Sequence, residues 1–255
     1  MAAEPAATSE DAVLGGRLVL RQPLKGHRVG HDAILLAAAC SAAAGEHLVE
    51  LGAGVGAAGL AVAYRVKDLA VTLVEIDPAL VALAKENAAR NNLSGRVHAV
   101  ALDATARPAA FTAAGLKAGA ADHVLMNPPF NAAQNPSPDR SRRLARSGAP
   151  DTLMRWLRTA ERLLRPGGTV TLIWRADGLS VVLSTLTALF GAITVMPVHP
   201  KPDAPAIRVL VRGVKGSRAP LSLRPGLVLS DASGSPTAET EAVLRRGAAL
   251  LLAGD

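Results

Sequence analysis

The chain has 255 residues and a net charge of +7, and its 49% apolar and 19% charged residues exclude wholesale disorder. Its one cysteine, Cys40, excludes an intramolecular disulfide framework and a four-cysteine zinc site. The longest apolar run, residues 33–44, is too short to cross a bilayer, and the first residues lack the basic start and apolar core of a secretion signal. We therefore expect a cytoplasmic protein that does not enter a membrane.

The predicted elements alternate between strands and helices along most of the chain. Residues 1–12 have the composition of a disordered tail, and residues 13–46 are predicted to form a strand, a basic loop and an apolar helix. The predicted strands cover residues 17–22, 47–51, 71–75, 97–101, 123–126, 169–174, 193–197 and 207–214. The predicted helices cover residues 32–43, 57–64, 78–91, 151–164 and 180–190, and their expected N-caps are Asp32, Asp77 and Asp151. In the tail we expect a short strand within residues 221–229 and a helix capped by Thr237.

Strands that alternate with helices imply βαβ crossovers, which place helices on both faces of a parallel sheet. The sequence therefore predicts an α/β fold with a doubly wound, seven-stranded, mostly parallel sheet in a single domain. Its core is expected to span residues 47–215, with residues 216–255 as a C-terminal extension.

The charge is unevenly distributed along the chain. Residues 137–224 contain 15 Lys or Arg against 5 Asp or Glu, whereas residues 1–136 contain 11 against 12. A basic region of this kind is typical of a surface that meets a polyanion, and a solvated arginine surface is the alternative. The residues expected to contact nucleic-acid phosphates are Arg140, Arg142, Arg143 and Arg146 in a proline-rich loop, and Lys201 and Arg212 around the last strand.

A glycine-rich turn, Val-Glu-Leu-Gly-Ala-Gly-Val-Gly over residues 49–56, follows the first buried strand. Glycine lets a ligand approach the backbone, and open α/β sheets bind ligands at the carboxyl ends of their strands. We therefore expect Gly52, Gly54 and Gly56 to contact a cofactor, with tight packing as the alternative. The spacing also fits a loose dinucleotide fingerprint, so the turn alone does not select the cofactor.

Acidic residues end three successive predicted strands, and they favour one cofactor. Glu50, two residues before the first glycine, would repel a pyrophosphate and suits a ligand with an ammonium group, such as S-adenosylmethionine. Glu75 is placed to accept both ribose hydroxyls, and Asp103 to accept from an adenine amino group. This set argues against a nicotinamide dehydrogenase, for which the sequence also offers no obvious Tyr-x-x-x-Lys pair.

The tetrapeptide Asn-Pro-Pro-Phe at residues 127–130 follows another predicted strand. Together with the upstream Glu-x-Gly-x-Gly-x-Gly, it resembles class I S-adenosylmethionine-dependent methyltransferases that act on a planar exocyclic nitrogen. The side chain of Asn127 and the carbonyl of Pro128 would accept hydrogen bonds from the target amino group, and Asn127 would also border the cofactor. Phe130 would stack on the base and face the sulfonium. Alignment of the reacting atoms needs no metal ion.

Residues 26–36, Gly-His-Arg-Val-Gly-His-Asp-Ala-Ile-Leu-Leu, narrow the resemblance. They are similar to the segment before the first core strand in bacterial tRNA(Val) adenine-N6 methyltransferases, and the resemblance covers residues 17–215. It implies that Arg28, Gly30 and Asp32 help to close the cofactor pocket, although Asp32 is equally expected as a helix cap. It also implies that the substrate is RNA, specifically tRNA.

The sequence departs from that family where Phe130 replaces the Tyr of many members. Phenylalanine is usual in guanine-N2 methyltransferases of ribosomal RNA, but those typically continue with His, whereas this chain has Asn131. Release-factor glutamine-N5 methyltransferases carry the related Asn-Pro-Pro-Tyr. The basic region favours nucleic acid, so we expect methylation of adenine N6 in tRNA. The alternatives are guanine N2 in ribosomal RNA, a protein glutamine, and a nucleic-acid-binding module with a vestigial cofactor site.

Overall fold

The structure is a computed structural model that describes residues 7–25, 28–129, 150–250 and 252. The strands within these residues are β1 (Thr8–Val13), β2 (Leu18–Pro23), β3 (His47–Leu51), β4 (Ala70–Glu75), β5 (Val97–Ala101), β6 (Ala121–Met126), β7 (Leu164–Arg175), β8 (Phe190–His199), β9 (Arg208–Lys215), β10 (Ser222–Leu223) and β11 (Leu227–Val228). The helices are α1 (His31–Ala38), α2 (Ala57–Arg65), α3 (Pro78–Arg90), α4 (Pro108–Ala113), α5 (Pro150–Leu163), α6 (Leu179–Leu186) and α7 (Ala238–Arg246).

The central sheet has the strand order β10-β8-β9-β7-β6-β3-β4-β5, and β11 also pairs with β8. Strands β3 to β7 are parallel to one another, and only β9 runs antiparallel to its neighbours, β7 and β8. This confirms the predicted α/β fold with a mostly parallel sheet. The sheet has nine strands rather than the predicted seven, because the short strand expected within residues 221–229 forms two strands, β10 and β11, and both pair with β8.

Helices cover both faces of the sheet, as a doubly wound fold requires. On one face, Leu48 and Leu73 share a core with residues of α1, α2 and α3. On the other face, Val49 and Val74 share a core with Phe111 of α4 and with residues of α5 and α6. Because side chains alternate along a strand, each central strand contributes to both cores. The helices leave the ends of the strands uncovered, and we call the line of carboxyl ends the carboxyl edge of the sheet.

The N-terminal hairpin corrects one prediction. Residues 1–12 were expected to form a disordered tail, but Thr8–Val13 is a strand that pairs antiparallel with β2. Asp11 is central to this hairpin, because its Oδ2 accepts hydrogen bonds from Gln22 Nε2 and from Arg28 Nη2, both at 2.8 Å. Composition does not reveal such pairing between distant polar residues, and it therefore misses the strand.

Two asparagines, four residues apart on α3, attach the hairpin to the domain. Asn87 accepts from Arg21 N at 2.7 Å and donates to Arg21 O at 3.0 Å, and Asn91 binds Val19 N and O at 3.0 and 2.9 Å. Residues i and i+4 share a helix face, and alternate strand residues point the same way, so the two amides act as a neighbouring strand. Asn87, which is fully buried, also donates to Val55 O at 3.1 Å and so joins the hairpin to the glycine loop.

The helix ends agree only partly with the predicted caps. Asp77 caps α3 and Thr237 caps α7, each by accepting a hydrogen bond from a backbone N–H of the first turn. Asp32 was expected to cap α1, but Gly30 precedes this helix and Asp32 lies inside its first turn. Likewise α5 begins at Pro150, so Asp151 is in the helix rather than before it. Short helix α4, which starts at a proline, was not predicted.

The C-terminal residues return to the N-terminal part of the chain. Arg17 donates to the carbonyl of Arg245, and Leu250 N donates to Ala38 O at 2.7 Å. Helix α7 and the residues after it therefore pack on α1 and on the turn after β1, whereas β10 and β11 lie in the sheet beside β8. In the described part of the chain, no helix combines the length and apolar composition that crossing a bilayer requires.

Replacement of Asn87 by Ala is expected to destabilise the protein by about 3 kcal/mol, because it leaves the backbone groups of Arg21 and Val55 without partners. Urea unfolding followed by circular dichroism measures this change. Lys85→Ala, at an exposed position of the same helix, is the matched control and should unfold like the unchanged protein. Equal stability of the Asn87→Ala protein would show that the amide does not hold the hairpin.

Candidate active site

The polar residues that the sequence singled out lie at neighbouring strand ends. Strands β6, β3, β4 and β5 are adjacent in that order and parallel, so their carboxyl ends form one edge. Asn127 follows β6, Glu50 and the glycine loop belong to the end of β3, Glu75 ends β4, and Asp103 follows β5. The fold thus brings four separate stretches of sequence to the edge where α/β sheets bind ligands.

The glycine loop between β3 and α2 has a left-handed backbone at each glycine. The φ angles of Gly52, Gly54 and Gly56 are +68°, +56° and +87°, a region that residues with a Cβ rarely adopt. Ala53 N donates to Val74 O at 3.0 Å, which ties the loop to β4. A Cβ added at Gly54 would meet no atom within 4 Å, so the backbone there is open to a ligand.

Glu75 connects the end of β4 to the glycine loop. Its Oε2 accepts from Gly54 N at 2.8 Å, and its Oε1 accepts from Ile76 N and Asp77 N at 2.8 and 3.0 Å. The side chain is only 8% exposed. Its position is therefore set by three backbone N–H groups, and each carboxylate oxygen retains further acceptor capacity.

Glu50 is 5% exposed and lies beneath the start of α2. Its Oε2 accepts from Gly59 N at 2.7 Å, whereas its Oε1 accepts no hydrogen bond from any residue that the structure describes. Burial raises the pKa of the Glu50 carboxyl to about 8, which the Gly59 N–H opposes and the Glu75 carboxylate increases. The structure therefore places an acid with a free oxygen beside the first turn of α2, directly after the glycine loop.

Asp103 lies at the exposed end of the same edge. Its Oδ1 accepts from the backbone N and the hydroxyl of Thr105 at 2.7 and 2.8 Å, which holds the carboxylate at the start of a turn. Ile76, next to Glu75, is 47% exposed and offers an apolar surface that the sequence analysis missed. The sequence held a signal for this surface, because the large apolar residue Ile76 directly follows Glu75, the acid that ends β4.

Asn127 carries a buried polar atom without a partner. Its Oδ1 is inaccessible to solvent and accepts no hydrogen bond from the described residues. Pro128 and Pro129 follow, and neither can donate a backbone hydrogen bond. Because an unpaired buried acceptor costs free energy, a ligand N–H donor would find a prepared site there.

The predicted pocket-closing residues are engaged elsewhere. Arg28 pairs with Asp11 of β1 at 2.8 Å, and Asp32 pairs with Arg208 of β9 at 2.9 Å. Gly30 has an extended backbone, and a Cβ there would meet no atom within 4 Å. These contacts attach the start of α1 to its neighbours, and the role of the three residues toward a cofactor stays a prediction.

The predicted substrate-binding residues are only partly described. Lys201 is exposed in the turn between β8 and β9. Arg212 is half-buried in β9, on the face that includes Leu210 and is covered by α1, and burial lowers its pKa. The structure therefore does not bring Arg212 to the edge that holds Asn127. The remaining predicted residues lie outside the described residues: Phe130, Arg140, Arg142, Arg143 and Arg146.

A cleft of about 520 Å³ lies at the opposite edge of the sheet, at the amino ends of β3, β4 and β5. Its polar lining includes His47, Thr72, Arg96 and His98. No group of three His, Cys, Asp or Glu side chains is placed to hold a metal ion in the described ranges. Parallel α/β sheets bind ligands at the carboxyl edge, so we assign the candidate site to that edge.

Comparisons with known sequences agree on one enzyme class. Residues 27–201 match the family described as the methyltransferase small domain. Two bacterial relatives are named tRNA1(Val) (adenine(37)-N6)-methyltransferase: that of Bacteroides thetaiotaomicron is 30% identical over 153 residues, and that of Porphyromonas gingivalis is 33% identical over 156. The matches cover 59% and 60% of this chain. The chain spans 60% of the length of each relative.

Solved structures show the same architecture. A protein of Agrobacterium tumefaciens, described as a predicted O-methyltransferase, superposes with a TM-score of 0.74 at 30% identity and covers 86% of this chain and 98% of its own. A SAM-dependent O-methyltransferase of Thermotoga maritima superposes with a TM-score of 0.53 at 16% identity, covering 76% and 68%. The second likeness concerns the fold alone.

The raised pKa of Glu50 predicts a pH-dependent stability. Between its ordinary pKa near 4.5 and about 8, the folded protein binds a proton that the unfolded chain releases, so stability falls as the pH rises through this range. Glu50→Gln removes the titration but keeps an oxygen for Gly59 N, and its stability should fall less. Thermal unfolding from pH 5 to pH 8 measures both slopes. Exposed Glu239→Gln is the control, and a slope in Glu50→Gln equal to that of the unchanged protein would contradict the prediction.

Proposed function

The chain belongs to the methyltransferase small domain family, and from that premise we propose that it transfers a methyl group from S-adenosylmethionine to N6 of an adenine in tRNA. The observation that carries the proposal is the buried, unpartnered Oδ1 of Asn127 at the carboxyl edge. An acceptor without a donor is complementary to an amino group. As the N–C bond forms, the S–C bond breaks and S-adenosylhomocysteine leaves, and the methylated N6 then loses its extra proton to solvent. A hydroxyl acceptor would instead need a base to take its proton during the attack.

The residues at the carboxyl edge suit S-adenosylmethionine, whose sulfonium supplies an electrophilic methyl group. Glu75 is held where its carboxylate can accept ribose hydroxyls, and Asp103 and Ile76 offer an acceptor and an apolar face for adenine. The free Oε1 of Glu50 suits the ammonium group. Open space at Gly54 lets the ligand approach the backbone. An ammonium group next to Glu50 would favour the ionised form of this buried acid, whereas the pyrophosphate of a dinucleotide would gain nothing there.

Asn127 and Pro128 are proposed to prepare the target nitrogen. The lone pair of an adenine amino group is delocalised into the ring, which makes the nitrogen a poor nucleophile. Hydrogen bonds from its two N–H groups to Asn127 Oδ1 and the Pro128 carbonyl would favour a pyramidal nitrogen whose lone pair points at the methyl group. The rigid prolines hold both acceptors in place, so catalysis comes chiefly from alignment. Phe130 is proposed to stack on the base, which must leave its own stack.

Three observations support tRNA as the substrate. The relatives from Bacteroides thetaiotaomicron and Porphyromonas gingivalis are named for adenine 37 of tRNA1(Val). Residues 137–224 carry a large excess of basic side chains, which suits a phosphate backbone. Lys201 is exposed and available for phosphate contacts, as proposed for the arginines of the segment 140–146. Salt should therefore weaken substrate binding.

The decisive experiment incubates the protein with methyl-labelled S-adenosylmethionine and tRNA that lacks its own methylation. After digestion to nucleosides, label is expected in N6-methyladenosine. Heat-denatured protein is the blank, and a DNA of matched length tests for RNA specificity.

The other outcomes each select a different function. Label in N2-methylguanosine would move the substrate to guanine. Label in protein alone would indicate glutamine, and an O-methylated nucleoside would indicate a hydroxyl acceptor. Absence of both transfer and S-adenosylhomocysteine binding would contradict the enzyme assignment and leave a binding module with a vestigial site.

Asn127→Ala tests the role of the buried Asn127 Oδ1, which has no hydrogen-bond partner among the described residues. Loss of a hydrogen bond that aligns the acceptor should lower kcat by about 100-fold or more. Affinity for S-adenosylhomocysteine, measured by titration calorimetry, should stay close to that of the unchanged protein, because Glu75 and the glycine loop remain. Lys201→Ala is the control and should affect KM for tRNA rather than kcat. Normal turnover by Asn127→Ala would show that the oxygen does not hold the target nitrogen.

A further inference from the structure

The chain contains two tryptophans, and one of them touches the glycine loop. Trp156 lies on α5 and is half-buried, whereas Trp174, at the end of β7, is 7% exposed. The six-membered ring of Trp156 lies against the Cα of Gly52, the first residue of the loop. Nothing in the sequence pattern links these two residues, which are far apart along the chain.

The contact is closer than any side chain at position 52 would allow. A Cβ built on Gly52 would lie 2.9 Å from Cζ3 of Trp156, and closer still to Cη2. Gly54 is the matched comparison, since its φ is also positive but a Cβ there would meet nothing within 4 Å. Position 52 therefore requires glycine for two reasons, the backbone angle and the indole ring, whereas position 54 requires it for the angle alone.

The helix that carries Trp156 is firmly held. Leu153, Leu157 and Ala160 of α5 are at most 1% exposed and pack into the core with the central strands. Such close packing resists displacement of a single side chain. The indole is therefore a fixed support, and the end of β3 cannot shift toward α5 without a clash.

We propose that Trp156 is a positioning residue of the cofactor site. Its ring holds Gly52 and thereby keeps the following residues in the conformation that presents Gly54 and the carboxylate of Glu75 to the ligand. The identity of that ligand rests on the proposed function, but the contact between Trp156 and Gly52 does not. One experiment therefore tests the contact between Trp156 and Gly52 without a ligand, and a second tests its effect on ligand binding.

The first experiment uses the ligand-free protein and a double-mutant cycle. Gly52→Ala should lower the urea midpoint more than Gly54→Ala, because only position 52 adds a clash to the strained angle. Trp156→Leu should recover part of the loss in Gly52→Ala and none of the loss in Gly54→Ala. Strictly additive effects at positions 52 and 156 would overturn the proposed contact.

The second experiment measures S-adenosylhomocysteine binding through the fluorescence of Trp156 in a Trp174→Phe background. Binding is expected to change the emission of Trp156. Titration calorimetry should show roughly tenfold weaker binding in Trp156→Leu, about 1.4 kcal/mol, and nearly unchanged binding in Trp156→Phe, which keeps an aromatic support. A residue with only a structural role would lower the unfolding temperature and leave the affinity unchanged.

The two experiments fail in different ways. If the unchanged protein does not bind S-adenosylhomocysteine, the proposed function is wrong, and the ligand-free cycle still decides whether Trp156 holds Gly52. If the unchanged protein binds and Trp156→Leu binds equally well, the positioning role is wrong and the proposed function stands. Should Trp156→Leu not fold, Trp156→Met fills the space without an aromatic ring and replaces it in both experiments, with the same expected tenfold loss of affinity.

Discussion

The site depends on two buried acids, of which Glu75 holds the glycine loop and Glu50 holds the first turn of α2. Glu75 on β4 accepts from Gly54 N within the loop, and Glu50 on β3 accepts from Gly59 N just beyond it. A loop with three glycines loses much conformational entropy on folding, so it needs fixed partners. The acids belong to adjacent parallel strands, and the pairing of Glu50 with Leu73 and of Glu75 with Ala101 sets their positions. The sheet therefore fixes the conformation of the loop through the side chain of Glu75 and through the backbone hydrogen bond from Ala53 N to Val74 O.

Much of this arrangement is predictable from sequence because it follows from strand direction. Parallel strands end at one edge, so an acid or an amide that ends a predicted strand is brought to that edge whatever the lengths of the connecting helices. Glu50, Glu75 and Asn127 illustrate this, since each lies within the last residue or two of its strand or directly after it. The hydrogen-bond partners of the two acids were not predictable, because the geometry of the turn brings Gly54 N to Glu75 and the position of α2 brings Gly59 N to Glu50.

The features that sequence patterns missed depend on contacts between distant residues. Thr8–Val13 is polar in composition and becomes a strand through its pairing with β2. Helical periodicity places Trp156 on a face of α5, but it does not say which loop that face meets. Arg212 was expected to contact phosphates, and the sequence does not say that alternation along β9 turns it to the face covered by α1. In each case the missing information is which distant residue lies next to the segment.

The number of asparagine side chains on α3 that can pair with the backbone of β2 is limited, because a helix and a strand have different repeat lengths. Four helical residues rise ~6.0 Å, whereas two strand residues advance ~6.8 Å, so a helix and a strand are incommensurate. The mismatch of ~0.8 Å per step is tolerable for the pairs at Asn87 and Asn91 and accumulates beyond them. A longer hairpin would therefore gain no further amide pairs. Further contacts between the hairpin and α3 are therefore ion pairs, such as Arg21 with Glu86 at 2.9 Å and Arg90 with Glu10 at 2.9 Å. Long charged side chains do not need to match the spacing of the two backbones.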